Sequence, residues 1–163
     1  MFPWNYRKAV TLIELLVVIG IAGFIMTFAF VNLAGKKNRQ SLDSTAKNIE
    51  AFAHEAQSNA IAQASSSAWG IHFENSTSSF FTLFAGAYSP TSTRNRASLP
   101  PGVRFATSSI PASSTLDVTF AQITGIPSTS TVVQLQLVNG TGASITVIAT
   151  STLTITSRGV ISL

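Results

Sequence analysis

Residues 9–31 read AVTLIELLVVIGIAGFIMTFAFV, an apolar run broken by a single acid, Glu14, close to its start. The run is long enough for a membrane helix, which needs about 20 predominantly apolar residues. It also exceeds the roughly 7–15-residue apolar core of a secretory signal peptide. An acidic or basic side chain at the centre of a bilayer-spanning helix costs about 2.5–3.5 kcal/mol on insertion scales, so Glu14 calls for a role. Gly20 and Gly23 each cost about 1 kcal/mol of helix propensity in water, but in lipid such small residues let helices pack closely. Arg7 and Lys8 precede the run while Lys36, Lys37 and Arg39 follow it, so the positive-inside rule leaves the orientation open.

The helical pattern does not stop where the apolar run does. No proline lies between Pro3 and Pro90. Leu42, Ile49, Phe52, Ala53, Ala56 and Ala60 recur at helical spacings, with Lys47, Asn48, Glu50, Glu55 and Gln57 on the other side. This predicts one helix from about Val10 to Ser65, its first half facing lipid and its second packing on the rest of the chain. After Ser65–Ser67 the period switches to two: Trp69, Ile71 and Phe73 alternate with Gly70, His72 and Glu74, and Phe80–Phe84 returns as a hairpin. Tyr88–Arg96 reads as an exposed loop. Further strands are expected at Val103–Ala106, Leu116–Phe120, Val132–Val138, Ser144–Ala149, Thr152–Thr156 and Val160–Leu163, with Asn139-Gly140 as a turn signal. The fold class is α+β, a long N-terminal helix packed on an antiparallel β-rich domain of six to eight strands.

Composition removes several function classes. Charged residues make up 10% of the chain, against about 25% in average globular proteins. The deficit comes from the apolar run and from a C-terminal half that is polar through Ser, Thr and Asn, a composition suited to exposed strands. There is no cysteine, which excludes a disulfide framework, a thiolate nucleophile and a zinc–thiolate site. The net charge of +4 includes Arg7 and Lys8, and the remainder is too small to argue for nucleic acid. His54 falls on the polar side of the helix and His72 on the outward phase of a strand. Neither has a partner at motif spacing, and both read as solvated surface residues. No phosphate-binding glycine loop, HExxH or GxSxG pattern occurs. Arg94, Arg96, Arg104 and Arg158 read as solvated surface charge in preference to a DNA-binding patch, and Trp69, Phe73, Phe81 and Phe84 read as core.

Val10-Thr11-Leu12-Ile13-Glu14-Leu15-Leu16-Val17-Val18-Ile19 closely resembles the class III signal motif of type IV pilins and pseudopilins. Ala9 stands where that motif usually has glycine, and Val10 where it usually has phenylalanine. The resemblance implies a leader ending at Ala9, cleavage between Ala9 and Val10 by a prepilin peptidase, and N-methylation of Val10. It makes Glu14 the fifth mature residue, whose carboxylate pairs with the free N-terminal amine of a neighbouring subunit during filament assembly. Opposite charges brought together in a low dielectric attract strongly and offset each other's desolvation. Glu55–Ala62 followed by Trp69-Gly70-Ile71, Leu99–Phe105, and Leu153–Ile161 resemble segments of the GspH/FimT-like minor pseudopilins. The calcium loop of major pseudopilins has no counterpart: calcium takes roughly six to eight oxygens with several carboxylates, and Asp117 is the only acid after Glu74.

The expected organisation is a leader over residues 1–9, a transmembrane helix over 10–34, an extracytoplasmic helix over 35–66 and a β-rich pseudopilin-like domain over 67–163. The expected function is that of a minor pseudopilin of a type II secretion system, a non-enzymatic subunit without cofactor or metal. It would be held in the bacterial inner membrane by a single pass, with its C-terminal domain outside the cytoplasm. Its expected partners are other pilins or pseudopilins, the prepilin peptidase and methyltransferase, the inner-membrane assembly platform and the membrane itself. The alternatives are a minor type IV pilin for piliation, motility or DNA uptake, and a membrane-anchored binding domain that does not polymerise.

Overall fold

A computed structural model describes residues 11–140 and 145–163, with the side chains of 28–36 left outside the description. The chain divides into two compact units, Met1–Lys37 and Asn38–Leu163. Helix α1 (Leu12–Ile61) supplies secondary structure to both. In the first unit the large apolar side chains are exposed, from Leu12 at 83% to Met26 at 61%. The only described hydroxyl of this stretch within the helix, that of Thr27, donates to the Gly23 carbonyl oxygen at 2.9 Å and so needs no outside partner. Among the described residues, no helix is long and apolar enough to cross a membrane. The side chains described within the apolar run end at Thr27.

The second unit is built on the helical stripe read from the sequence. Leu42, Ala46, Ile49, Phe52, Ala53, Ala56 and Ala60 are all buried, and the four alanines let the sheets approach the helix closely. The helix ends at Ile61, four residues before the expected Ser65. Gln63 takes a left-handed conformation (φ 53°), and a short 3-10 turn follows over Ala64–Ser66 with Ser65 and Ser66 also at positive φ. Serine and glutamine carry a Cβ that makes this region uncommon, so the reversal is held by bonds around it. The Gln63 amide donates to the Ala60 carbonyl oxygen, and the indole N–H of Trp69 donates to the Ala64 carbonyl oxygen at 2.8 Å.

Eight strands follow: β1 (Trp69–Asn75), β2 (Phe80–Ala85), β3 (Thr93–Ser98), β4 (Val103–Phe105), β5 (Ser114–Phe120), β6 (Thr131–Asn139), β7 (Thr146–Ile155) and β8 (Ile161–Ser162). They form two four-stranded antiparallel sheets, ordered β3-β2-β1-β5 and β4-β6-β7-β8. The inner faces of both sheets and the buried stripe of α1 share one core. Phe52 of the helix meets Phe81 edge-on at 5.0 Å between centroids, and Phe73 of the first sheet meets Phe105 of the second at 5.8 Å.

Three expectations are corrected here. The segment read as an exposed loop, Tyr88–Arg96, contains most of β3, which continues the ladder beyond β2. Ser144–Ala149 and Thr152–Thr156 were expected as two strands but form the single strand β7, because Thr150 and Ser151 stay in register with Gln136 and Leu135. Gln57 is not on a solvated face. Its side-chain amide donates to the carbonyl oxygens of Gly125 (3.1 Å) and Gly159 (2.8 Å), tying α1 to two distant turns. A Cβ on Gly159 would lie 2.8 Å from that amide nitrogen, and Gly159 sits at φ +80°, so glycine is required there.

Candidate functional site

The N-terminal site is built by the start of α1. Thr11 precedes the first helical residue, and the Glu14 amide donates to the Thr11 hydroxyl oxygen at 3.3 Å, the bond of an N-cap. The Leu15 amide donates to the Thr11 carbonyl oxygen at 3.2 Å, closing the first helical turn. Thr11-Leu12-Ile13-Glu14 thus has the spacing of a capping box, Thr at the cap and Glu three residues on. Glu14 is the acid of the first turn, where the partial positive charge of the helix end favours a carboxylate. Sequence reasoning had weighed Glu14 for its cost in lipid and missed Thr11. The Thr-x-x-Glu spacing was the available signal. Ala9 and Val10 lie outside the described residues.

Residues 4–30 match the family model for the prokaryotic N-terminal methylation motif. The chain therefore carries a type IV pilin-like prepilin signal, of the kind found on structural subunits that a prepilin peptidase processes and that assemble with other pilins. No curated protein and no solved structure matches the chain. The matched segment contains both Thr11 and Glu14, the cap and the first-turn acid of the helix.

A second constellation, in the β domain, went unread in the sequence. His72 is only 3% exposed, not solvated as its strand phase had implied. Antiparallel pairing of β1 with β5 sets it opposite Asp117, and its Nδ1 is hydrogen-bonded to the Asp117 carboxylate. Its Nε2 lies 4.0 Å from the Glu74 carboxylate and has no hydrogen-bond partner. Tyr88 stacks flat on the imidazole, 3.5 Å between centroids and 5° from parallel, and meets Phe84 edge-on at 5.7 Å. Phe84 in turn lies over Gly70, where a Cβ would sit 2.6 Å from the ring. The Arg96 guanidinium covers the neighbouring Phe80 ring at 3.6 Å. The outer face of the first sheet is thus roofed by Tyr88 and Arg96 and forms a small second core. Burial first, and then the carboxylates of Glu74 and Asp117, hold the Tyr88 phenol above its ordinary pKa, with Arg96 acting in the opposite direction.

Tyr88 covers the His72 ring, and among the described residues no serine or other nucleophile is bonded to it. His54 remains exposed on α1. The four arginines do not form one patch: Arg94 and Arg96 lie on β3, while Arg104 on β4 and Arg158 beyond β7 belong to opposite edges of the second sheet. A cleft of about 720 Å³ runs beside the β1–β2 turn and the Leu99–Phe105 segment. Serine and threonine hydroxyls of the β1–β2 turn share its lining with the apolar Leu99–Val103 segment, and Arg104 is the one ionisable residue among those that line it. Among the described residues, no three His, Asp or Glu side chains gather to hold a metal ion.

Proposed function

We propose that the chain is a minor pseudopilin of a type II secretion system, polymerising through its N-terminal helix into a short filament that moves secreted protein. The observation that carries the reading is the methylation motif over residues 4–30, with Glu14 in the first turn of a helix whose apolar side chains are exposed. An exposed stripe of this size needs lipid or the apolar helices of other subunits around it. In the proposed cycle the helix sits in the inner membrane with the β domain outside the cytoplasm. A prepilin peptidase cuts between Ala9 and Val10, the new amine of Val10 is methylated, and Glu14 pairs with the Val10 amine of an adjacent subunit. The likeness of Leu99–Phe105 and Leu153–Ile161 to GspH/FimT-like minor pseudopilins supports a minor subunit. Gly102 at φ +83° is the residue of that first segment that the turn into β4 requires.

The work is mechanical. The N-terminal helix supplies attachment and register, and the β domain supplies the surface that faces neighbours or cargo. Two measurements test this. The intact mass of the mature protein should show loss of Met1–Ala9 and gain of one methyl group; an unprocessed chain would overturn the reading. Glu14→Leu should leave the protein in the membrane fraction while reducing its recovery in sheared filaments at least tenfold. Normal recovery would remove Glu14 from assembly.

A further inference from the structure

The two sheets of the β domain treat their edges differently. β3, at one edge of the first sheet, carries Arg94 and Arg96, and β5 at the other carries Asp117. β4, at one edge of the second sheet, carries Arg104. A charged residue on an edge opposes the arrival of another strand, because pairing would strip water from the charge. β8 pairs with β7 only at Thr154 and Ile155. Among the described residues, no strand pairs with Thr146–Leu153 on that side. The run Ile145–Thr156 contains no charged residue, no proline and no glycine, and Ile145, Val147 and Ile148 are each at least 40% exposed. A bulge leaves Ile148 outside the β6 register, so the regular open ladder is Ala149–Leu153.

We propose that this edge of β7 pairs antiparallel with the same edge of a second copy of the chain. Charge matching selects that occupant. The edge strands β3, β4 and β5 would each bring an arginine or an aspartate against the neutral run, and β8 offers only the two residues Ile161–Ser162, whereas β7 against β7 brings a full-length neutral ladder. The pairing is isologous and closes as a dimer, leaving no second copy of the edge to extend a ribbon. The backbone groups of Ala149–Leu153 supply the ladder, and Thr150 and Thr152 meet their counterparts across it. This contact lies in the β domain and does not depend on assembly through α1.

Cysteine cross-linking in the full-length chain tests it, since the natural sequence has no cysteine. In membranes, a short bismaleimide should join Thr150→Cys into a homodimer, because antiparallel pairing centred on Ser151 sets Thr150 opposite Thr152 of the other copy, and it should not join Asn95→Cys on the arginine-bearing β3. Adding Thr152→Lys to Thr150→Cys should lower the cross-linked yield at least fivefold without changing the melting temperature. The Thr150→Cys dimer should persist in a Glu14→Ala background, which separates edge pairing from packing of the N-terminal helices. Equal cross-linking at Asn95 and Thr150, a Thr150→Cys adduct with a different protein, insensitivity to Thr152→Lys, or loss of the dimer with Glu14→Ala would each overturn the proposal.

Discussion

The two sheets are built from the same number of strands and share one core, yet they finish their outer faces in opposite ways. The first is roofed: Tyr88 stacks on His72, Phe84 fills the space over Gly70, and Thr82 is fully buried with its hydroxyl donating to the Asn95 carbonyl oxygen. The second leaves Val132 on β6 about half exposed, and beside it Gln134, Gln136, Thr150 and Thr152 stand on the outward phase of their strands. In the first sheet, side chains that could have met a partner are used on the molecule itself. In the second, the backbone and a neutral surface are left available. The contrast separates the part of the domain that secures the fold from the part free to form contacts.

Substitutions in the first sheet should therefore act on stability, and substitutions in β7 on association. The largest effect is expected at Phe81, fully buried between the helix and the sheets. Phe81→Ala should lower the unfolding free energy by about 3–5 kcal/mol, read from denaturant titration of the full chain in detergent. Gly70→Val should follow, at about 1–3 kcal/mol, because the new side chain meets both the Phe84 ring and the Val118 carbonyl oxygen, a backbone atom that cannot give way. Asp117→Ala should cost about 1–2 kcal/mol by leaving the buried Nδ1 of His72 without its acceptor. If Asp117→Ala were neutral, the roof would be packing alone, and the hydrogen bond beneath it would be incidental.

The same variant has a signature at alkaline pH. The phenol of Tyr88 is raised, so the folded state holds its proton more tightly than the unfolded state does. The stability this contributes is complete below the ordinary tyrosine range and is lost as pH rises through the raised value. Removing the Asp117 carboxylate should move the Tyr88 titration down, measured by ultraviolet absorbance in a Tyr6→Phe background where Tyr88 is the sole tyrosine. The smallest effect on stability is expected from Thr152→Lys, within about 0.5 kcal/mol of the natural chain. A larger loss there would mean that β7 is already covered within the molecule, and the contrast between the sheets would fail.

Much of this architecture could be read from local pattern. The spacing of Leu42 through Ala60 located the buried face of α1, and the alternation after Trp69 located the first hairpin. The Thr-Leu-Ile-Glu run was specific enough to place the processing signal, because its meaning depends on adjacent residues alone. What the sequence hid depends on pairings across long separations. His72 and Asp117 are 45 positions apart, and only the β1–β5 register sets them face to face. β3 was hidden because Arg94, Asn95 and Arg96 are polar, as an edge strand can be, and polarity reads as loop. The roof over His72 was hidden for a related reason: Tyr88 lies in a turn-rich segment whose composition says nothing of where its ring goes.

Gln57 has a dynamic consequence. One side-chain amide anchors both the Gly125 turn and the Gly159 turn, so a single rotation about its side-chain bonds frees both at once. The two turns then loosen as a single kinetic unit, and their neighbouring amides should exchange with solvent at a common rate. The last hairpin of the chain is thus anchored to a helix residue 102 positions upstream.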